Sequence, residues 1–543
     1  MLNVIAVIEK PFIPGWDTPG LGMRPFAPET VLICTIVAVL LAPFFSSKRA
    51  SNVLSAAVSI VGLIIALAAA IFIGNGAHAG DHFRGLLVVD QFALLWKIML
   101  LLFVIGIIVM WFGTTASTMH EGDGPEFFTL LLSATLGMCF MAETANLLML
   151  FMAVEMASLP SYVLAGFRKT HRIGAEASLK YVLFGAATSA IMVYGLSMLY
   201  GLYGTLQVTE IARQMAGGAS ASFGIGGSAL LAVAVFGLIV GVGFKISAVP
   251  FHFWCPDVFE GASIDVSAFL SVASKGAALA LLLRVLMTLA ETLGFHSVPG
   301  VSLTAVAAVV GVIGAITATV GNTAAFVQNN IKRLLAYSSI AHAGYMLCAL
   351  SLLVKLRATD LPGLTATTIL LYLAVYLFMN LGAFTAAGAI WKQTGSENIN
   401  DYAGLGRRSP ILALCMTLFM FSLVGLPPLA GFSAKFYLLG VLIQNGGWWW
   451  WLVGVIGINT VLSLYYYARV VKLMYLNNSD QPAFFPNPIG LAVSVLCAAM
   501  LVGMFVLFNP LQTLTKSYGK MYLGGASGTV NTRTASVTPG LDR

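Results

Sequence analysis

Charge is scarce in this chain. Asp, Glu, Lys and Arg make up only 9% of its 543 residues, while apolar side chains make up 59%. A water-soluble domain cannot be covered with so little charge, and a mean hydropathy of +0.91 excludes that class. Paired cysteines are also missing. Cys34, Cys139, Cys255, Cys348, Cys415 and Cys497 lie far apart with no Cys-x-x-Cys spacing. That argues against a zinc site, an iron–sulfur cluster or a disulfide framework. No Gly-x-Gly-x-x-Gly follows a strand pattern, so any linked redox chemistry belongs to another chain. Basic runs long enough to track a phosphate backbone are absent, and the net charge of +7 reflects loop residues rather than nucleic-acid binding. Residues 1–29 carry four prolines before position 27 and no long apolar core, which makes a poor signal peptide.

What is present is a series of apolar runs of around 20 residues, from about position 27 to about 509. They predict an all-α integral membrane protein of about 14 transmembrane helices. Lys48, Arg49, Arg168, Lys169, Arg172, Lys332, Arg333, Lys392, Arg407, Arg408, Arg469 and Lys472 fall in alternate loops, against Arg84, Arg213, Lys355 and Arg357 in the others. The positive-inside bias then predicts both termini on the outer side.

Two runs, 228–260 and 409–444, would each extend about 50 Å as unbroken helix, against a hydrocarbon core of about 30 Å. Both contain proline, Pro250 in the first and Pro427-Pro428 in the second, and both carry a lysine near it, Lys245 and Lys435. Interrupted helices at matching places predict two repeats, and five spans in each make the repeats inverted. The expected organisation is an extension at 1–26, three helices over 27–125, repeats over 126–289 and 290–474, a last span over 475–510 and a flexible tail over 511–543.

Ionisable residues inside apolar runs mark ion paths. They are Glu155, Lys180, Lys245, Lys275, His342 and Lys435, with His252 beside the first break and Glu143 as a weaker candidate. Lys97 and Arg284, nearer helix ends, are expected to snorkel. An amine held out of water trades protons more readily than one in bulk, and a nearby carboxylate tunes that exchange. A Glu155–Lys180 pair that forms and separates could therefore switch Lys245, since charges 6 Å apart interact by about 3 kcal/mol at an effective dielectric of 20. Ser338, His342 and Tyr345 share a helical face, while Tyr372, Tyr376 and Asn380 read as packing or water-binding residues.

The blocks Ser158-Leu-Pro-Ser-Tyr-Val-Leu-Ala-Gly-Phe167, Ala175-Glu-Ala-Ser-Leu-Lys180-Tyr, Phe244-Lys-Ile-Ser-Ala-Val-Pro-Phe-His252, Pro256-Asp-Val-Phe-Glu-Gly261 and Asn330 to His342 resemble subunit N of bacterial NADH–quinone oxidoreductase, respiratory complex I. The resemblance implies an antiporter-like fold in the cell (inner) membrane. It implies contact with other membrane-arm subunits, and no cofactor on this chain. NADH, FMN, iron–sulfur clusters and quinone would be used on other subunits. By motif it implies that Glu155 and Lys180 are the coupling pair, Lys245 and Lys275 the central relay and Lys435 the terminal site, with His252 and His342 matching family histidines. Lysine at both 275 and 435 favours subunit N over its sister subunits. Gly261-Ala-Ser-Ile-Asp265 departs from the family's proline-containing version, and Cys255 stands where threonine is common. The run Trp448–Trp451 and the basic tail look peculiar to this sequence. A subunit of a multisubunit cation/proton antiporter is the alternative, disfavoured because sodium would call for carboxylates at the centre.

Overall fold

The computed structural model describes residues 24–74, 80–83, 85–168, 171–217, 224–293, 303–354, 361–479 and 481–518. The topology-bearing residues Arg84, Lys169, Lys355 and Arg357, the start of the N-terminal extension and the tail beyond 518 lie outside these.

Three helices lead the chain: α1 (Ala27–Leu41), α2 (Lys48–Gly74) and α3 (Gln91–Gly113), with a short hairpin of β1 (Gly80–His82) and β2 (Leu87–Val89) before α3. A first five-span unit follows: α4 (Gly124–Glu143), α5 (Leu147–Ala165), α6 (Arg172–Tyr203), the broken pair α8 (Gly224–Ile246) and α9 (Trp254–Gly261), and a span made of α10 (Ile264–Phe269) and α11 (Lys275–Thr292). A short helix, α7 (Val208–Ala216), lies between α6 and α8. The second unit is α12 (Leu303–Ala325), α13 (Ile331–Leu350), α14 (Leu361–Thr394), the broken pair α16 (Pro410–Val424) and α17 (Ala430–Asn445), and α18 (Trp450–Leu476), with a single turn α15 (Leu405–Arg408) before α16. α19 (Pro488–Val506) completes the spans. Among the described residues, thirteen helices are long and apolar enough to cross a membrane, and α16 with α17 form one more crossing in two halves. Five crossings per unit turn the two units in opposite directions.

Register and packing tie the units together. Asn146 caps α5 by accepting from the Leu148 and Met149 amides, and Asn330 caps α13 by accepting from those of Lys332 and Arg333. The same two asparagines form isolated antiparallel bridges, Asn146 with Gln207 and Asn330 with Asn398. The bridging hydrogen bonds match as well: the Leu147 amide donates to Leu206 O and that of Val208 to Ala145 O, as Ile331 does to Glu397 O and Ile399 to Asn329 O. Each unit's first two helices cross at a glycine. A Cβ on Gly137 would stand 2.5 Å from the Ala157 amide nitrogen, and one on Gly321 2.6 Å from that of Ala341, so alanine would force the backbones apart at either crossing. In this register Glu155 corresponds to Ser339 and Ser158 to His342.

Both long runs break by one device. The α8 end closes with the Ala248 amide donating to Gly243 O at 2.8 Å, and the α16 end with that of Leu426 donating to Phe421 O at 3.0 Å. Each is a Schellman termination, which places the residue before the donor in the left-handed region. That residue is Gly425 (φ 89°) in one break and Ser247 (φ 63°) in the other. Glycine adopts it freely, while serine pays a steric cost. The prolines beyond, with fixed φ and no N–H, prevent the helix from resuming at once. A third interruption is a π-helical turn over Leu270–Ser274, immediately before Lys275.

Three expectations are corrected. Lys97 and Arg284 do not snorkel: they are 2% and 1% exposed. Lys97 pairs with Glu29 on α1, at 2.6 Å, and with Glu143 at the end of α4. Arg284 grips Asp90 with two bonds of 2.9 and 2.8 Å and donates to the Ala142 carbonyl. Their partners lie far away in sequence, and hydrocarbon leaves a buried cation nowhere else to turn. Lys332 is likewise no loop charge. It is 2% exposed, and its amine donates to Glu260 O and Ala262 O, capping the end of α9. The stretch expected to be a flexible tail begins as helix α20 (Phe508–Tyr518).

Breaking the Arg284–Asp90 pair from one side should cost about 3–5 kcal/mol, because it strands a buried charge. Arg284→Leu should thus lower the thermal midpoint and the membrane abundance of the assembled protein. Arg284→Leu with Asp90→Leu should recover most of the loss.

Candidate relay of buried lysines

Lys245 occupies the last turn of α8 and is fully buried. Its amine donates to Ser158 Oγ at 2.9 Å. Ser158 lies one turn along α5 from Glu155, the carboxylate whose field reaches Lys245. Glu155 itself accepts from the Ser189 hydroxyl on α6.

The expected Glu155–Lys180 pair is not formed. The Lys180 amine, nearer the start of α6, binds Glu176 at 2.9 Å and Asp257 at 2.7 Å. Ser189 and Lys180 are nine residues apart on one helix, about 13 Å along its axis, so Glu155 cannot meet both. Asp257 and Glu260 on α9 were missed in the sequence reading, although they immediately follow the break. Asp257 also accepts from Arg333 Nη1 at 2.8 Å, and Arg333 binds Glu260 at 2.6 Å. This cluster joins α6, α9 and α13, and so joins the two units. Burial pushes the Asp257 carboxyl up, but hydrogen bonds from Lys180 and Arg333 outweigh it and hold the group below the ordinary carboxylate value.

Lys275 follows the π-helical turn and is 1% exposed. Its amine donates to the Ser339 hydroxyl on α13, lies 3.4 Å from Cys255 Sγ and sits 5.4 Å from the centre of the Phe259 ring. One turn along α13, His342 Nδ1 is 2.7 Å from the Tyr372 hydroxyl. The Tyr376 ring lies 5.0 Å from the imidazole. Lys435, on α17, reaches back across the second break to donate to Leu423 O (3.0 Å) and Val424 O (2.8 Å), carbonyls that the end of α16 leaves free. Its amine also sits 4.9 Å from the Tyr345 ring centre. His252 lies within the first break, buried, with its ring against Phe253. Ser338 bonds Tyr467, and Tyr345 accepts from Asn322.

Several buried polar atoms line this row without a protein partner: the Tyr162, Tyr181 and Tyr376 hydroxyls, Ser274 Oγ and His342 Nε2. Tyr181 bridges the stretch from Lys245 to Lys275, meeting Tyr162 edge-on at 4.6 Å and stacking on Trp254 at 4.2 Å. Buried polar groups of this kind are completed by ordered water. Tyr162 and Tyr181 gave no signal in the sequence, because a tyrosine in an apolar run suits packing equally well. Chemically, Lys245, Lys275 and Lys435 each meet a hydroxyl, a thiol or a carbonyl rather than a carboxylate, so none is locked in an ion pair. Among the described residues, no group of three or more His, Cys, Asp or Glu is arranged to hold a metal ion.

Inverted units, broken helices and buried amines without a carboxylate partner define an antiporter-like membrane subunit. The chain belongs to the NADH:quinone oxidoreductase/Mrp antiporter membrane family, whose model matches residues 144–463. It is 38% identical over 500 residues to NADH-quinone oxidoreductase subunit N 2 of Sorangium cellulosum, covering 88% of this chain and 94% of that protein. It is 37% identical to subunit N of Anaeromyxobacter sp., covering 92% of this chain and 97% of that protein. Among solved structures, a chain of Thermus thermophilus respiratory complex I matches with a TM-score of 0.70 at 30% identity, covering 90% of this chain and 99% of that one. A chain of the Mrp complex of Dietzia sp. matches in fold, with a TM-score of 0.73 at 19% identity, covering 92% of this chain and 97% of that one.

A carboxylate held below its usual value stabilises the fold above the unfolded-state value, and that contribution is lost as pH falls through the folded-state value. Asp257→Asn should therefore lower the thermal midpoint by a constant amount from neutral pH down to about 4, the ordinary carboxylate range. The gap to the unchanged protein should close below that range.

Proposed function

We propose that this chain is a proton-translocating membrane-arm subunit of an NADH:quinone oxidoreductase. Electron transfer from NADH to quinone takes place on other subunits, which carry the FMN, the iron–sulfur clusters and the quinone site, and it drives protons through this one. The observation that carries the reading is the row of buried groups from Ser158 to the Val424 carbonyl, with three amines in it and no carboxylate bound to any of them.

In this mechanism Lys245, Lys275 and Lys435 hold and pass protons, and His342 with Tyr372 connects the last two. Glu155 sets the charge state of Lys245 through the Ser158 turn. Lys180 acts at the junction with Asp257 and Arg333, where a change in the neighbouring subunit could release it toward Glu155. Both Glu155 and Lys180 are only partly buried in the single chain, which supports a partner subunit packed along α5 and α6. His252 borders the first break and Lys275. The basic residues of alternate loops support placement in the bacterial cell membrane with both termini outside.

Lys275→Ala in the assembled complex should reduce NADH-driven proton pumping by on the order of a hundredfold, the scale of a lost proton-transfer group. The check is dye-reported acidification in inverted vesicles with assembly verified. Unchanged pumping would overturn the relay. Lys245→Ala should behave alike, and Lys435→Arg should fail too, because a guanidinium does not release its proton.

A further inference from the structure

At the end of the bundle opposite Asp90 and Arg284, a cavity of about 230 Å³ opens among the loops after α3, α5 and α9 and the end of α14. Its polar lining includes Thr115, His120, Asp123, Arg168, His171 and Ser263. It has room for several waters. The Arg168 guanidinium lies over Trp391, 5.1 Å from the ring centre, forming part of the wall. Ser263 is 6% exposed, and its hydroxyl is buried without a partner. Two residues on, Asp265 is fully buried at the start of α10. It accepts from the Thr114 hydroxyl at 2.6 Å and from that of Thr115, which also lines the cavity. Among the described residues no cation pairs with it. A carboxyl group buried on neutral hydroxyls, beside a wet polar cleft, is an expensive arrangement for structure alone.

Beyond Asp265 the same span carries Ser267, Ser271 and Ser274 at i, i+4 and i+7, all buried, and ends on Lys275. The hydroxyls of Ser267 and Ser271 donate to carbonyls of Ser263, Phe259 and Ala268, and that of Ser274 has no partner. Phe384, which packs against Phe259, and Asn380 one turn further on α14, flank this side.

We propose that the cleft is a proton inlet. Asp265 takes a proton from water in the cavity and passes it along the serine face to the Lys275 amine, which becomes an ammonium as the carboxylate is restored. The proposal rests on the relay described above. The charged and titratable groups that face Asp265 and the cleft are Arg168 and His171 from the loop after α5, His120 and Asp123 from that after α3, Lys392 at the end of α14, whose amine is 3.5 Å from Gly113 O, and Lys332 on α13, bound to Ala262 O and paired with Glu397 at 2.6 Å.

The test uses the intact complex in vesicles of both orientations. Asp265→Asn should cut NADH-driven pumping at least tenfold with assembly unchanged, and Asp265→Glu should restore most of it. Ser263→Cys should react with a charged, membrane-impermeant thiosulfonate from the cleft side only, and the adduct should depress pumping. An assembled Asp265→Asn complex that pumps normally while Lys275→Ala does not would overturn the inlet and leave the relay standing. Normal pumping in both would overturn the relay itself. Should Asp265→Asn fail to assemble, the labelling decides: a Ser263→Cys thiol unreactive from both sides, or an adduct without effect, also overturns the inlet.

Discussion

A cation surrounded by hydrocarbon has to be met by an electron-rich atom from the protein, and the whole architecture can be read from how each one is met. The cations of α3 and α11, Lys97 and Arg284, are met by carboxylates and are fixed in place. The three amines of the central row are met by neutral atoms instead. Ser158 meets Lys245, Ser339 meets Lys275, and two carbonyls freed by a helix end meet Lys435. An ion pair holds its proton against exchange, whereas a neutral partner accepts either protonation state. In the proposed relay, the distinction between cations that fasten helices and cations that carry protons therefore lies in the second atom of each contact.

Helix breaks serve this arrangement directly. A continuous helix spends every carbonyl on its own amides, and none is left for a lysine. The Schellman end at Gly425 and the following prolines release Leu423 O and Val424 O into the protein interior, where Lys435 takes them. The first break works differently. It keeps Lys245 on the last turn before the interruption and sends α9 off to carry Asp257 and Glu260 to the junction with Arg333. Two copies of one unit thus place their lysines on opposite sides of equivalent breaks. The matching caps at Asn146 and Asn330 and the matching glycine crossings show that the framework is shared while the chemistry has diverged. Glu155 and Ser339, in the same register, make the divergence concrete: one is an acid near an amine, the other a hydroxyl bonded to one.

Much of this was legible in the chain. Apolar runs gave the spans, and prolines inside two overlong runs gave the breaks. Solitary lysines in those runs gave Lys245, Lys275 and Lys435. What could not be read were pairings across large sequence separations. Lys180 is bound by Asp257 and Glu176, and Glu155 by Ser189, because helix rotation and the path of α9 set the distances. Lys97 and Arg284 looked peripheral because they lie near helix ends, yet neighbouring helices close over them. The π-helical turn before Lys275 left no mark, since its residues, Leu-Ser-Val-Ala-Ser, suit an ordinary helix equally well.

The sequence by itself determined that this is a helical membrane protein, where its two overlong runs break and that Lys245, Lys275 and Lys435 are buried, because the cost of charge and of unpaired backbone in hydrocarbon acts on each segment separately. Only the tertiary structure decided that Lys97 and Arg284 are met by carboxylates while those three amines are met by neutral atoms. That outcome depends on what an adjacent helix presents within about 3 Å, the reach of a hydrogen bond, and no local pattern in the chain encodes it.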